Sequence, residues 1–219
     1  MQLNTVIFDM DGLLVDSEPL WNEAADEVFK LYGFSLTTTQ HATTTGLRTR
    51  EFVQWWFDYY RIDHAELPKA EKKILEFVMD KVYHRGRVMP GIPYIFEFFK
   101  ERGFKTGLAS SSPQELIDLV TRMIGIDTYL LATASAQHLP YGKPHPQVYL
   151  DCAAALQSEP TACICFEDSF NGLIAAKAAR MKCVVVPEHS QQKQERWGAA
   201  DLKLSSLQNF GALHLNLLH

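Results

Sequence analysis

The sequence of 219 residues predicts an α/β protein with a parallel sheet, helices on both faces of that sheet and a small all-helical cap inserted after the first strand. The first observation behind this prediction is a run of β-branched and aromatic residues at positions 6–8, which is typical of a buried strand. The second is a regular alternation of helical and strand patterns from residue 92 onward. The third is a block of helical patterns without a convincing strand between residues 18 and 85.

The elements that follow residue 92 are predicted to alternate. Helices are expected over residues 92–102, from Pro113 onward, over 148–156 and over 171–179, and strands over 104–109, 129–133, 162–166 and 183–186. Gly103 closes the first of these helices, as a glycine at a helix C-terminus often does. A chain that alternates strand and helix in this way forms a parallel sheet between two layers of helices, so we predict a Rossmann-like core.

Residues 18–85 are expected to form three helices instead. The first carries an apolar stripe that begins at Trp21, the second is the aromatic run 51–60, and the third spans 68–83. We assign residues 16–85 to a helical cap domain and residues 1–15 and 86–219 to the core domain. Because aromatic side chains dominate the packing of protein cores, we expect the aromatic run to stabilise the cap rather than to bind a ligand.

Composition and charge argue against several classes of protein. The net charge is −5 and no broad cluster of Lys or Arg is present, which disfavours a nucleic-acid partner. No apolar run approaches the ~20 residues that cross a bilayer, and the chain begins with a core strand instead of a signal peptide. The four cysteines match no zinc pattern, and Cys163 and Cys165 lie in an apolar run, as buried thiols do. We therefore expect a soluble, cytoplasmic monomer without a membrane partner.

Two acidic residues follow the first predicted strand directly. Asp9 and Asp11 are two positions apart, and because side chains alternate along a strand, their carboxylates project to the same side. Gly12 then allows a sharp turn of the backbone. Carboxylates held side by side repel each other, and they are tolerated when a cation lies between them or when one of them holds a proton.

Three further polar segments follow predicted strands. Ser110 and Ser111 stand where a strand meets a helix start, Lys143 lies between Gly and Pro on a constrained loop, and Glu167 and Asp168 follow an apolar strand. Alone, they read as a helix cap, a solvated lysine and acids that complement a helix dipole. In parallel sheets, however, ligands bind beyond the carboxyl ends of the strands, where these segments can meet. Together they predict a site for Mg²⁺ and a phosphate group.

These segments resemble the four motifs of the haloacid dehalogenase-like hydrolase superfamily, in the same order and over the whole chain. The helical insertion after the first motif is similar to the small cap of that superfamily. Within it, the chain resembles the bacterial sugar-phosphatase branch, which includes hexitol and 2-deoxyglucose 6-phosphate phosphatases. The stretches that carry this closer resemblance are residues 8–14, 17–21, 139–149 and 203–207.

The resemblance implies a role for each residue of the catalytic set. Asp9 is the nucleophile, and Asp11 is the general acid and base. Ser110 and Lys143 hold the phosphoryl group that is transferred. The cofactor is Mg²⁺, for which Mn²⁺ or Co²⁺ can substitute, and its predicted binding residues are Asp9, Asp11, Glu167 and Asp168, with Glu167 either a direct ligand or one that binds through water.

The substrate is expected to be a small phosphorylated sugar or polyol. Its predicted binding residues on the core side are Gly12, Ser110, Ser111 and Lys143. On the cap side, Trp21 is expected to stack on a sugar face, and Arg48 and Arg50 are expected to reach polar groups of the substrate. For both arginines the alternative is a solvated side chain at a helix start, since charged residues are mostly exposed.

Three other functions compete with a Mg²⁺-dependent sugar phosphatase that forms an aspartyl-phosphate. A phosphomutase of the β-phosphoglucomutase type is expected to carry a histidine where Trp21 stands. A non-enzymatic receiver-like phosphorylation switch is expected to be shorter and to lack the helical cap. A dehalogenase does not need Asp11, which is the acid that phosphoryl transfer requires.

Overall fold

Six parallel strands form the sheet of the protein in a computed structural model, which describes residues 2–218. The order of the strands across the sheet is β3-β2-β1-β4-β5-β6, and every pair is parallel. This arrangement confirms the predicted fold class. The strands are β1 Thr5–Phe8, β2 Lys105–Ser110, β3 Ala132–Ser135, β4 Cys163–Glu167, β5 Lys182–Val185 and β6 Leu202–Lys203.

The helices divide into those before and those after residue 86. The four α-helices between β1 and residue 86 are α1 Glu18–Phe29, α2 Thr38–Thr44, α3 Thr49–Tyr60 and α4 Leu67–Arg85. Those that alternate with or follow the other strands are α5 Tyr94–Lys100, α6 Gln114–Met123, α7 Gln147–Ala155, α8 Phe170–Ala178 and α9 Ala212–Leu218.

Each face of the sheet packs against its own apolar cluster. Phe8 and Phe166 point to one face, where their rings stack with centroids 5.1 Å apart and belong to an aromatic cluster. Ile7 and Cys165, one position away on the same two strands, point to the opposite face. The alternation of side chains along a strand explains this division, and burial on both faces explains why the strands are so apolar.

The segment before residue 86 contains helices and short 3₁₀ turns, and no strand among its described elements from residue 18 to 85. In the aromatic run, Trp56 and Phe57 are buried as expected, whereas Trp55 and Tyr59 are exposed, so only one face of this helix packs into the core. The sequence predicted three helices here, and the structure adds a fourth, α2. Threonine is a poor helix former, so the pattern of α2 is weak, but Thr37 and Gln40 form a capping box that stabilises its start.

The chain leaves and re-enters the core at neighbouring points. The N–H of Asp16 donates to the carbonyl of Arg87 at 2.8 Å, and the N–H of Met89 donates to the carbonyl of Leu14 at 3.0 Å. Two connections that lie side by side can bend together. The division of the chain into a core (1–15 and 86–219) and a cap (16–85) stays a prediction, to which this pairing lends support.

The four cysteines are unpaired and buried. Burial raises the pKa of the Cys152 thiol to about 12 and that of Cys163 to about 11, and it raises the pKa of Cys165 and Cys183 well above the usual range. Among residues 2–218, none of the helices has both the length and the apolar character needed to cross a membrane.

Candidate active site

A group of three carboxylates lies at the carboxyl ends of β1 and β4. The two strands pair in register up to Phe8 and Phe166, so Asp9, which follows β1, comes next to Glu167 at the end of β4. Carboxylate oxygens of Asp9, Glu167 and Asp168 all lie within 4.8 Å of one another. Gly12 approaches this group so closely that a Cβ atom on it would lie 2.2 Å from Oδ2 of Asp168. A residue with a side chain would therefore displace Asp168.

Lys143 joins this group from the loop that precedes α7. Its side chain is 1% exposed, and its Nζ lies 2.5 Å from Oδ1 of Asp9 and 2.7 Å from Oε1 of Glu167. Nζ also donates to the Ala109 carbonyl and lies 3.2 Å from the Tyr149 hydroxyl, which itself donates to Glu167. A buried ammonium is tolerated only when it is paired and hydrogen-bonded, and this one meets both conditions.

Glu167 is fully buried, and donors surround its carboxylate. It accepts hydrogen bonds from Lys143 and from the Tyr149 hydroxyl. It also accepts two from Ser169, one from the backbone N–H at 3.2 Å and one from the side-chain hydroxyl at 3.1 Å. Gly172 of α8 lies directly against it. Because its oxygens already have protein donors, we interpret Glu167 as the residue that fixes Lys143, next to the other two acids.

The acidic group contains more carboxyl groups than Lys143 can neutralise. Burial raises the pKa of Asp9 to about 8, with Glu167 adding to the rise and Lys143 opposing it. Burial and the neighbouring carboxylates hold the pKa of Asp168 well above its usual range. Glu18 at the start of α1 is also raised, to a pKa of about 8. An all-oxygen donor set with excess negative charge fits a hard divalent cation such as Mg²⁺.

Asp11 lies apart from these carboxylates. Its Oδ1 accepts hydrogen bonds from the Ser17 hydroxyl at 2.7 Å and from the Trp21 indole at 2.9 Å. Its Oδ2 accepts one from the Ser112 hydroxyl at 2.6 Å. Asp11 was predicted as a metal-binding residue, but the structure gives its two oxygens protein donors and leaves it outside the acidic group. The same contact shows that the Trp21 indole N–H is engaged with Asp11.

The two predicted serines lie on the turn between β2 and α6. Ser110 is buried, accepts the N–H of Ser112 at 3.0 Å and lies 3.5 Å from Asp11. The Ser111 hydroxyl donates to the carbonyl of Gly46, which belongs to the loop before α3. Ser110 thus faces the acidic residues, and Ser111 connects the core to the helical segment.

One cleft brings most of the predicted residues together. It lies between the strand ends and helices α1–α3, and its empty volume is about 630 Å³ when its open mouth is included. The site residues predicted from the sequence that line this cleft are Asp9, Asp11, Trp21, Ser110, Ser111, Lys143 and Asp168. Residues that were not predicted as site residues also line it: Glu18, Asn22, His41, Thr44, Thr45, Gly46, Leu47, Thr49, Phe52 and Ser112.

Arg48 lies outside this cleft. Its guanidinium donates to the carbonyls of Ala136 at 3.1 Å and Leu139 at 2.5 Å, and it pairs with Glu51 at 2.7 Å. Glu51 in turn accepts the N–H of Gly142 at 3.0 Å. Arg48 was predicted to bind substrate. In the structure it binds the loop that carries Lys143, because the first turn of α3 rests on that loop.

Some of the unpredicted residues had a recognisable signal. Ser17 and Glu18 belong to the stretch 17–21 and Tyr149 to the stretch 139–149, both of which carried the closer resemblance. Their contacts depend on how the turns fold, which a motif does not disclose. His41 stands in a threonine-rich segment without any motif, so nothing in the sequence singled it out.

Comparison with known proteins places these observations in a family context. Residues 3–180 match the family model of the haloacid dehalogenase-like hydrolases. Hexitol phosphatase B of Escherichia coli K12 is 40% identical over 215 residues, which cover 98% of this chain and 97% of that protein. A phosphorylated carbohydrates phosphatase of Thermotoga maritima is 31% identical over 188 residues, or 86% of this chain and 87% of that protein.

A solved structure extends the comparison to the fold. The crystal structure of a β-phosphoglucomutase from Clostridium difficile has a TM-score of 0.88 to this chain, and the match covers 99% of this chain and 97% of that one. The two sequences are 22% identical. At this level of identity the likeness shows the shared fold.

Proposed function

The chain belongs to the haloacid dehalogenase-like hydrolases, as its motifs predicted, and from this premise we propose that it hydrolyses small sugar phosphates or sugar-alcohol phosphates through a phosphorylated Asp9, with Mg²⁺ as cofactor. It is a phosphoric monoester hydrolase, like the phosphatases that it resembles over most of its length. The observation that carries the proposal is the Asp9 carboxylate in contact with Lys143, at a strand end that opens into the cleft.

The chemical problem is a slow reaction. Hydrolysis of a phosphate monoester without a catalyst is so slow that the enzyme must lower the barrier by on the order of 20 kcal/mol or more. A covalent intermediate divides this step into two easier ones. Asp9 Oδ attacks phosphorus, and as this O–P bond forms, the bond from phosphorus to the sugar oxygen breaks. Water then attacks the phosphorus of the aspartyl-phosphate, and the bond from phosphorus to Asp9 Oδ breaks, which releases inorganic phosphate and regenerates the Asp9 carboxylate.

Asp11 carries the proton in both halves of the reaction. It protonates the departing sugar oxygen, which would otherwise leave as a strongly basic alkoxide, and it then takes a proton from the attacking water. The hydroxyls of Ser17 and Ser112 and the indole N–H of Trp21 hold its carboxyl group in one orientation. Trp21 therefore acts as a positioning residue in this proposal, and stacking on a sugar is not required of it.

Lys143 and Ser110 bind the oxygens of the phosphoryl group. Stabilisation of charge on these oxygens is the main task in phosphoryl transfer. Asp9 and Asp168 would hold Mg²⁺, which, when bound, reduces the repulsion between the Asp9 carboxylate and the anionic phosphate. Glu167 keeps Lys143 in place beside them.

Substitution of Asp9 by Asn tests the proposal. An amide is a poor nucleophile, so Asp9→Asn should lower kcat on a hexose or hexitol phosphate with Mg²⁺ by about 10³-fold or more, which is the scale typical of a lost nucleophile. Release of inorganic phosphate is the measurement, and exposed Asp80→Asn is the control, which should keep wild-type turnover. Substantial turnover by Asp9→Asn would contradict the assignment of the nucleophile.

The same substrates separate hydrolysis from phosphomutase activity. A hydrolase releases inorganic phosphate in step with substrate consumption, whereas a mutase accumulates an isomeric sugar phosphate. Parallel measurement of phosphate and of isomer over time distinguishes the two. A stable phosphorylated protein without turnover would instead favour a receiver-like switch.

A further inference from the structure

A buried histidine of helix α2 lies in the wall of the cleft. His41 is 7% exposed, and its Nε2 lies 3.2 Å from Oδ1 of Asp26 on α1. Its ring is nearly parallel to that of Phe52 on α3, with centroids 6.4 Å apart. Three helices therefore fix the position and the plane of this imidazole.

The contact with Asp26 determines which nitrogen of His41 carries the proton. A carboxylate only accepts hydrogen bonds, so Nε2 must be the donor in this pair. Burial lowers the pKa of His41 although Asp26 opposes the shift, and the ring is accordingly neutral near pH 7. In a neutral imidazole with its proton on Nε2, the other nitrogen, Nδ1, is a bare acceptor.

Nδ1 of His41 has no donor in the part of the chain that the structure describes. It is buried, and no group among residues 2–218 donates to it. Buried acceptors are nearly always paired, and an unpaired one costs free energy. Nearby polar groups do not remedy this: the hydroxyls of Thr44 and Thr45 donate to backbone carbonyls of α2 instead.

The location of His41 indicates what could supply the missing donor. The residue lines the same cleft as Asp9 and Lys143, together with Asn22 and Thr44 of the cap side. Lys143 and Asp9 lie at the strand ends, so a phosphate there leaves the rest of the substrate on the side of the helices. A sugar or polyol carries hydroxyl groups along that part, and each hydroxyl is a donor.

We propose that His41 is a specificity-determining residue whose Nδ1 accepts a hydrogen bond from a hydroxyl group of the sugar or polyol, with Asp26 holding the ring in the required tautomer. This proposal rests on the proposed function and deepens it. Such a contact favours substrates with a hydroxyl group near Nδ1 of His41. A carboxylate at that position would disfavour binding, because it offers no donor to the unprotonated nitrogen.

A matched pair of variants tests this contact. In His41→Gln, the glutamine amide lies near the position of Nε2, where it can contact Asp26, and no polar atom lies at the position of Nδ1. In His41→Asn, the asparagine amide oxygen lies near the position of Nδ1. We expect His41→Gln to lower kcat/KM on a hexose 6-phosphate or hexitol 6-phosphate by about 10- to 100-fold, mainly through KM, and His41→Asn to lower it less. Neither should change kcat/KM on p-nitrophenyl phosphate, which has no hydroxyl group, by more than about twofold.

A second measurement uses the wild-type protein. The substrates are a series of hexose 6-phosphates that each lack one hydroxyl group. For the wild-type protein, removal of one particular hydroxyl should lower kcat/KM by about the same factor as His41→Gln does on the parent sugar phosphate. For His41→Gln, kcat/KM on that analogue and on the parent sugar phosphate should be equal.

Three results would overturn the proposal: unchanged activity of His41→Gln on the sugar phosphates, equal losses on the sugar and aryl phosphates, or a series without a sensitive deoxy analogue. Wild-type protein that releases phosphate from p-nitrophenyl phosphate but from no sugar phosphate would instead overturn the proposed function.

Discussion

Lys143 carries its charge where water does not reach it. The attraction of Asp9 and Glu167 raises its pKa although burial alone would lower it. Removal of one partner from a buried ion pair commonly costs about 3–5 kcal/mol, because the other charge is left unpaired. Loss of any one member of this cluster should therefore destabilise the folded core.

At the scale of residues, the first prediction concerns Asp11 and the leaving group. Asp11→Asn removes the proton that an alkoxide needs, whereas an aryl oxide leaves with little help. We expect kcat on a sugar phosphate to fall by at least about tenfold more than kcat on p-nitrophenyl phosphate, in keeping with the usual 10²–10⁴-fold contribution of general acid catalysis. Steady-state kinetics on both substrates measures the difference.

Substitution of Asp16 by Asn is the control for this variant. Asp16 is exposed and close in sequence, so Asp16→Asn should leave both activities near the wild-type values. Equal losses on the two substrates in Asp11→Asn would argue against its role as the acid and would favour a role in binding.

Single residues differ in how well the sequence predicts their surroundings. The convergence of Asp9, Lys143 and Asp168 follows from the rule that ligands lie beyond the strand ends of a parallel sheet. The contacts of Arg48 and Trp21 depend instead on how the helices dock on the core, which composition and spacing do not specify. Trp21 lies in the cleft as expected, yet the partner of its N–H is Asp11.

At the scale of elements, α3 is connected to the core through its first turn. Arg48 and Glu51 hold the loop between residues 136 and 142, and that loop leads directly into Lys143. From the other side, Asn171 of α8 donates to the carbonyl of Thr45 at 2.8 Å. These contacts hold the helical segment against the core and close one side of the cleft.

We predict that weakening this connection reduces catalysis without damage to the reacting groups. Arg48→Met keeps an unbranched, flexible side chain but removes the guanidinium and its hydrogen bonds, each of which contributes about 1 kcal/mol. The expected result is a fall of about tenfold in kcat/KM on a sugar phosphate, because the loop that carries Lys143 is then held less firmly in place.

Arg50→Met is the matched control for this change. Arg50 lies in the first turn of α3 and is exposed, it does not line the cleft, and its side chain makes no hydrogen bond or ion pair with the described residues 2–218. Its substitution should leave kcat/KM near the wild-type value. Equal effects of the two substitutions would show that the contacts of Arg48 do not position this loop for catalysis.

Elements with strong patterns were predicted well, and those with weak patterns were not. The strands β1, β2, β4 and β5 are largely buried, and their predicted positions differ from the observed ones by about one residue. The strand predicted over residues 129–133 lies later, at Ala132–Ser135, because residues 127–129 form a 3₁₀ turn. The two-residue strand β6 and the short helix α9 are too brief for a periodic pattern.

At the scale of the whole molecule, the order of the strands explains where the site lies. The chain places β2 and β3 on one side of β1 and β4, β5 and β6 on the other. Strand order thus reverses at β1, and a crevice forms at such a switch point. Asp9 and Asp11 follow the one strand that borders both halves of the sheet.

The buried carboxyl groups of Asp9, Glu167 and Asp168 predict how Mg²⁺ and pH change the free energy of unfolding. Because the pKa of Asp9 is raised from 3.8 to about 8 in the folded protein, the folded state binds a proton that the unfolded chain releases above about pH 4. The metal-free protein should therefore lose stability as the pH rises from 5 toward 8. Mg²⁺ competes with that proton, so its stabilising effect should be larger at pH 8 than at pH 5.

Thermal unfolding with and without Mg²⁺ at the two pH values checks this prediction. A saturating concentration of about 100 Kd contributes about 2.7 kcal/mol, which corresponds to a rise in Tm of about 5–10 °C for a chain of this size. We expect such a rise at pH 8, a much smaller one at pH 5, and little effect in Asp9→Asn. Equal rises at both pH values would contradict the link between the cation and the acidic group.

The shielding of all four thiols has a practical consequence for the study of motion in this molecule. Buried cysteines with raised pKa values react slowly with thiol reagents, since the thiolate is the reactive form. A single cysteine introduced on the exposed surface of α4 would then be labelled selectively in the otherwise native sequence. A fluorophore there and a second one on the core would report the distance between the two parts of the chain during turnover.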